Sequence, residues 1–192
     1  MSIFLLPELE YDKAPLLLHA QQQTNWNSNP IMPGVFSAQW GEITETIDPV
    51  FDEILSHFSN AFHVVGCVCP KRHNGMLGCS CSIPGCTPRI IGAAFMRIKP
   101  GSVLREHVDP GRYTGVNCPL TQSLADGGVD IYSKGIVVSK VYTDCPYIID
   151  TQSPHGAHNN ASESNIFLSL TFNTNLDFAQ LVDWQVHGEL LQ

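Results

Sequence analysis

The chain is 192 residues long and 43% hydrophobic, with 18 acidic against 10 basic residues and a formal net charge of −8. That length suits one domain, residues 1–192, with a sizeable core, and so few cations argue against a nucleic-acid partner, whose phosphates need clustered Lys and Arg. The longest apolar run, about Ile90 to Met96, is far too short for a membrane span. The start, Met1 to Glu8, lacks the basic lead of a signal peptide, so the expectation is a soluble cytoplasmic protein.

In chain order, residues 1–47 read as irregular strands and loops, with a polar stretch from Gln21 to Asn29 punctuated by Pro30 and Pro33. Asp48-Pro49 then reads as an N-cap followed by proline in the first helical position. Val50, Phe51, Ile54, Leu55, Phe58 and Phe62 recur at helical spacing, which predicts an amphipathic helix over about 49–61. Its aromatic stripe reads as core, and His57 on it as a packing or surface residue.

The chain holds seven cysteines, an odd number that cannot all pair internally. Cys67, Cys69, Cys79, Cys81 and Cys86 are clustered, with His73 between them. Zinc knuckles usually separate their cysteines by two to four residues, because one residue bends the chain poorly around a tetrahedral ion. Zinc, one or more disulfides, and unliganded thiols beside a hairpin are all compatible with the pattern. The thiols are the preferred reading.

Beyond the cysteines the pattern is one of strands. Ile90 to Ile98 is apolar and β-rich and ends at the turn Lys99-Pro100-Gly101. Val103 to Val108, Val116 to Leu120, Val129 to Tyr132, Ile136 to Tyr142, Tyr147 to Asp150 and Ile166 to Asn173 follow, separated by Gly, Pro, Asp or Asn. Strands at such intervals without intervening helices predict a mainly β sandwich or jelly roll. The end, Leu176 to Leu191, reads as a capped helix.

One segment carries chemistry. His107 and Asp109 are two residues apart, so on an extended strand both side chains leave from one face. A second His delivered from elsewhere completes a two-His-one-carboxylate face, which leaves open positions on Fe(II). The candidate is His155, in Pro154-His155-Gly156-Ala157-His158-Asn159. His158 would face the other side of a strand and reads as a supporting or surface residue. His19, His63 and His187 have no partner at an informative spacing.

Phe95 to Ser102 followed by His107-Val108-Asp109 resembles the entry to the double-stranded β-helix (cupin-like jelly roll) of the 2-oxoglutarate/Fe(II) oxygenases. It looks most like their aspartyl/asparaginyl β-hydroxylase-like branch and its phage-type relatives. Arg112 with Asn117-Cys118-Pro119-Leu120, and His155 with Asn159 four residues on, match that branch in order and spacing over roughly 90–173. The resemblance implies a core β-helix with flanking helices, Fe(II) on His107, Asp109 and His155, and 2-oxoglutarate and O2 as co-substrates. A peptide or small molecule would be hydroxylated, with Asn117 and Asn159 orienting groups at the site.

One position departs from the pattern. Ten residues after the distal His the family usually has an Arg that grips the remote carboxylate of 2-oxoglutarate; here it is Asn165, which carries no charge. Arg97, Arg112, Lys134 and Lys140 are the candidate substitutes on β segments, and the planar fork of Arg112 is preferred. The alternative reading is a non-catalytic or differently catalytic cupin-like module that has lost this anchor. A third is a structural or binding protein whose metal sits at the cysteines.

Overall fold

The computed structural model describes residues 2–7, 11–39, 90–109, 114–121, 127–141 and 144–172, together with Phe178, Ala179, Val182 and Val186. The helix expected over 49–61, the cysteine cluster and Arg112 lie outside these residues.

The described strands are β1 (Ile3–Leu5), β2 (Asn27–Ser28), β3 (Val35–Gln39), β4 (Ile90–Ile98), β5 (Ser102–His107) and β6 (Thr114–Pro119). They continue with β7 (Gly127–Ser133), β8 (Ile136–Val141), β9 (Tyr147–Asp150), β10 (His155–Asn159) and β11 (Asn165–Phe172). They form a seven-stranded sheet in the order β1-β9-β6-β11-β4-β3-β2 and a four-stranded sheet in the order β5-β10-β7-β8. The pairings are antiparallel. Successive strands from β4 onward alternate between the sheets, apart from the β7–β8 hairpin, and this is the double-stranded β-helix, a jelly roll.

Strand alternation sorts the side chains of the larger sheet. One face of β11 carries Ile166, Leu168 and Leu170, and the neighbouring strands add Phe95, Val116, Cys118, Leu120 and Ile148. Leu16 and Ala20 of helix α1 (Lys13–Gln21) close over this face, and Phe178 and Val182 join it. Leu16, Phe95, Ile148, Leu168 and Leu170 are fully buried, which makes this the main core. Burial also pushes the Cys118 thiol well up, so it stays protonated.

Helix α1 falls where the sequence reading expected irregular chain. Asp12 caps it by accepting from the Ala14 N–H at 3.0 Å. Pro15 lies in the first turn, where a missing N–H costs no intrahelical bond. The run Leu16-Leu17-Leu18 hides the helical period, and this is why the pattern gave no signal.

The other face of the larger sheet looks toward the smaller one. A thin inner cluster of Ile3, Val129, Tyr147 and Ile149, with Ile131 and Val141, lies there. The hairpin from β7 to β8 turns on Lys134 and Gly135, both at positive φ (52° and 77°), the conformation of the tight turn that matches strand twist. Strand β8, at an edge among the described strands, exposes Ile136 and Val138.

Candidate metal centre and cavity

His107 ends β5 and His155 begins β10, and these two positions pair directly across the smaller sheet. Their rings stand 4.4 Å apart between centroids. Asp109 follows two residues after His107, and its carboxylate Oδ1 is 3.6 Å from the Nε2 of His107. One ligand atom from each of His107, Asp109 and His155 can be chosen so that all lie within 4.8 Å of one another. The structure therefore brings together the three residues that the sequence reading singled out.

The imidazoles are oriented by the backbone. The Nδ1 of His107 is 2.7 Å from the Arg105 carbonyl, and the Nδ1 of His155 is 2.9 Å from the Ser153 carbonyl. A carbonyl can only accept, so Nδ1 carries the proton and Nε2 keeps its lone pair for an ion. Asp109 is tied down through its main chain: its N–H donates to the Thr151 carbonyl at 2.9 Å, and its own carbonyl accepts from the Gln152 side chain at 2.9 Å. Two imidazoles and a carboxylate, each held through a second bond, make a donor set that suits Fe(II) and other mid-row divalent ions.

Local sequence explains the close approach of β5 and β10. The pairing register shifts between His155 and Ala157, so Gly156 sits in a bulge. A Cβ at Gly156 would lie 2.5 Å from the Leu104 carbonyl oxygen and 3.1 Å from the Tyr132 ring. Only glycine lets the strand carrying His155 come this near to the strand carrying His107.

A cavity of about 250 Å³ opens beside the three ligands, between the sheets. Met96, Leu104, Val129, Ile149 and Phe167 give it apolar walls; Asn117, Tyr147, Thr151 and Ser169 are polar groups within them. Asn117 pairs in register with Ser169 on β11 and with Tyr147 on β9, so the three form a row across the larger sheet. Asn117 donates to the Tyr147 hydroxyl at 3.2 Å, and its buried Oδ1 has no hydrogen-bond partner among the described residues. Tyr147, Ser169 and Thr151 were missed from the sequence. Asn117 was named through the resemblance alone; alternation along β9 and β11 is the signal that could have put Tyr147 and Ser169 on an inner face.

Beside this cavity lies a smaller pocket of about 30 Å³, bordered by Ile98, Gly127, Gly128 and Asn165. Val129, Tyr147, Ala157 and Phe167 line both spaces. Asn165 thus stands at the far end from the metal ligands, its Oδ1 accepting from the Thr121 hydroxyl at 3.3 Å.

The remaining expected groups go elsewhere. Asn159, expected to orient a bound group, instead holds the β10–β11 turn. Its Nδ2 donates to the carbonyls of Ile98 (2.9 Å) and Glu163 (2.8 Å), and its Oδ1 accepts from the Ala161 N–H (3.1 Å). His158 turns to the opposite face from His155 and pairs with the buried carboxylate of Asp130 at 2.9 Å. Lys140 approaches the same carboxylate at 3.7 Å. Arg97 stacks on Trp26 and Phe36, at 4.2 and 4.8 Å from their ring centres. Lys134 occupies an exposed turn. Of the four candidate substitutes for the missing Arg, these three are placed away from the cavity.

No protein-family model matches the chain, and no curated protein does either. Solved structures do resemble it. HygX from Streptomyces hygroscopicus, with nickel and 2-oxoglutarate bound, is 11% identical with a TM-score of 0.57, covering 91% of this chain and 84% of its own. A prolyl-4-hydroxylase from Pseudomonas putida is 11% identical at a TM-score of 0.56, covering 89% and 91%. The viral collagen prolyl hydroxylase of Paramecium Bursaria Chlorella virus-1, in complex with 2-oxoglutarate, is 13% identical at 0.54, covering 90% and 96%. At such identities the likeness establishes a shared fold.

Proposed function

We propose that the chain is an Fe(II)-dependent dioxygenase that uses a 2-oxo acid as co-substrate and hydroxylates an unactivated C–H bond. The observation that carries this reading is the His107, Asp109 and His155 cluster, within 4.8 Å, at the mouth of the cavity. The neighbours that hold nickel or 2-oxoglutarate on the same fold support it.

When bound, iron supplies the activation of O2 that couples decarboxylation of the oxo acid to transfer of one oxygen atom to the substrate. The residues of the chain do the rest. His107 and His155 would hold the ion through Nε2 atoms oriented by their Nδ1 bonds, and Asp109 would offset part of its charge. Three donors from the protein would leave room on the ion for the co-substrate and O2. Met96, Leu104, Ile149 and Phe167 would give the reacting centre an apolar wall. Asn117 and Tyr147 offer polar contacts to whatever lies against the ligands.

The chelating end of 2-oxoglutarate suits those open positions. Its remote carboxylate is less well matched, because among the described residues neither Lys nor Arg lines the cavity or the smaller pocket beside it. The aspartyl/asparaginyl-hydroxylase-like order of motifs points to a peptidyl or small-molecule substrate. Among the described residues no helix is long and apolar enough to cross a membrane, and we place the protein in the reducing cytoplasm, where ferrous ion persists.

The test is anaerobic titration with Fe(II), followed by oxygen exposure with an oxo acid and measurement of CO2 release. One tightly bound ion and oxo-acid-dependent CO2 are expected. A protein that binds the ion but neither binds nor decarboxylates any oxo acid would be the cupin-like module instead.

A further inference from the structure

The cavity and the smaller pocket adjoin, with Val129, Tyr147, Ala157 and Phe167 in the lining of both. On the inner face of β11, Ser169, Phe167 and Asn165 succeed one another from the ligand end to the far end. Ser169 pairs with Asn117, Phe167 with Pro119, and Asn165 with Ile98. A co-substrate chelating the ion at His107, Asp109 and His155 would lay its tail along this ladder, past Tyr147 and Phe167, toward Asn165. Among the described residues, the polar groups on that path besides the metal ligands are Asn29, Asn117, Tyr147, Thr151, Ser169 and Asn165, all uncharged. Asn165 binds Thr121 through Oδ1, so the atom it can offer the pocket is Nδ2, a donor.

We propose that the co-substrate taken here is a 2-oxo acid whose remote end is uncharged and accepts a hydrogen bond, with Asn165 the residue that reads it. This rests on the oxo-acid reading above. A remote carboxylate in this pocket would lose part of its hydration and, among the described residues, meet no cation in return. An uncharged carbonyl loses far less and recovers it from Asn165 Nδ2. A purely apolar tail leaves that donor unpaired, and sites with a hydrogen-bonding group reject analogues that cannot answer it.

The experiment is calorimetric titration of Ni(II)-loaded protein with three probes: 2-oxoglutarate, its 5-methyl ester, and 2-oxohexanoate. Binding is read directly and needs no turnover. The ester should bind at least ~10-fold more tightly than 2-oxoglutarate, and more tightly than 2-oxohexanoate by a similar factor. Asn165→Leu should erase the difference between the ester and 2-oxohexanoate, and Asn165→Arg should reverse the preference toward 2-oxoglutarate. Tighter binding of 2-oxoglutarate than of the ester by the parent protein, lost in Arg112→Ala, overturns the proposal while the oxo-acid reading stands. Equal binding of ester and 2-oxohexanoate by the parent protein overturns the role of Asn165. If none of the three binds, the oxo-acid reading fails and this proposal with it.

Discussion

His155 lies directly opposite His107 in the pairing of β10 with β5, whereas His158, three residues further on, faces away and binds Asp130. The same short segment therefore supplies a metal-facing imidazole and a sheet-tying one. The two histidines should respond differently to substitution.

His155→Ala or His107→Ala should weaken binding of Fe(II), or of Mn(II) as a redox-stable probe, by about 100-fold or more. The circular dichroism spectrum should stay essentially unchanged, because the ligands sit on a scaffold whose main core is elsewhere. His158→Ala should bind the ion with parental stoichiometry. Calorimetry on the three variants decides the assignment; loss of the ion in His158→Ala with retention in His155→Ala would reverse it.

Asp130→Asn should cost stability rather than metal. Asp130 is buried, 4% exposed, and the substitution exchanges a carboxylate acceptor for an amide beside His158 and Lys140, leaving one NH2 group to be accommodated in a buried site. A loss of about 1–3 kcal/mol is expected. Denaturant unfolding should show the loss, while the ion titrates as in the parent.

Gly156→Ala should loosen the metal centre. The added methyl meets the Leu104 carbonyl at 2.5 Å, which is backbone and cannot swing aside. Strand β10 must then retreat from β5, separating His155 from His107. We expect about a 10-fold or greater loss of metal affinity and a fall in melting temperature. Unchanged affinity would mean that the bulge does not set the spacing.

Leu168→Ala tests the main core. Leu168 is fully buried between α1 and the larger sheet, so a loss of about 2–5 kcal/mol is expected in urea unfolding. Oxo-acid and metal affinities measured well below the unfolding midpoint should be near the parental values, since the residue faces away from the cavity.

The β half of the molecule was legible because turn residues punctuate it. The strands expected from Val103 to Asn173 fall within two residues of those found, and Tyr147 to Asp150 agrees at both ends. Strand β10 was not separately expected: His-Gly-Ala-His-Asn holds no β-branched residue, and its strand character comes from neighbours on both sides. Strands β1 to β3 are short and acquire meaning only through pairing with β9 and β4. Asn159 misled because a distance in sequence from His155 says nothing about which backbone carbonyls a turn brings within reach. The Asp130 partner of His158 is on another strand, and no local pattern announces such a contact.

The register of His155 against His107 has a consequence for the order in which the molecule comes apart. An ion held by both residues acts as a rivet between two strands that are remote in the chain, at the margin of the smaller sheet, where among the described residues β5 has no further strand beside it. A ligand that binds the folded form alone shifts local opening by mass action. Amide hydrogens of Ser102 to His107 should therefore exchange quickly in metal-free protein and slow markedly on loading. Those of Leu168 and Leu170, clamped under α1, should hardly notice.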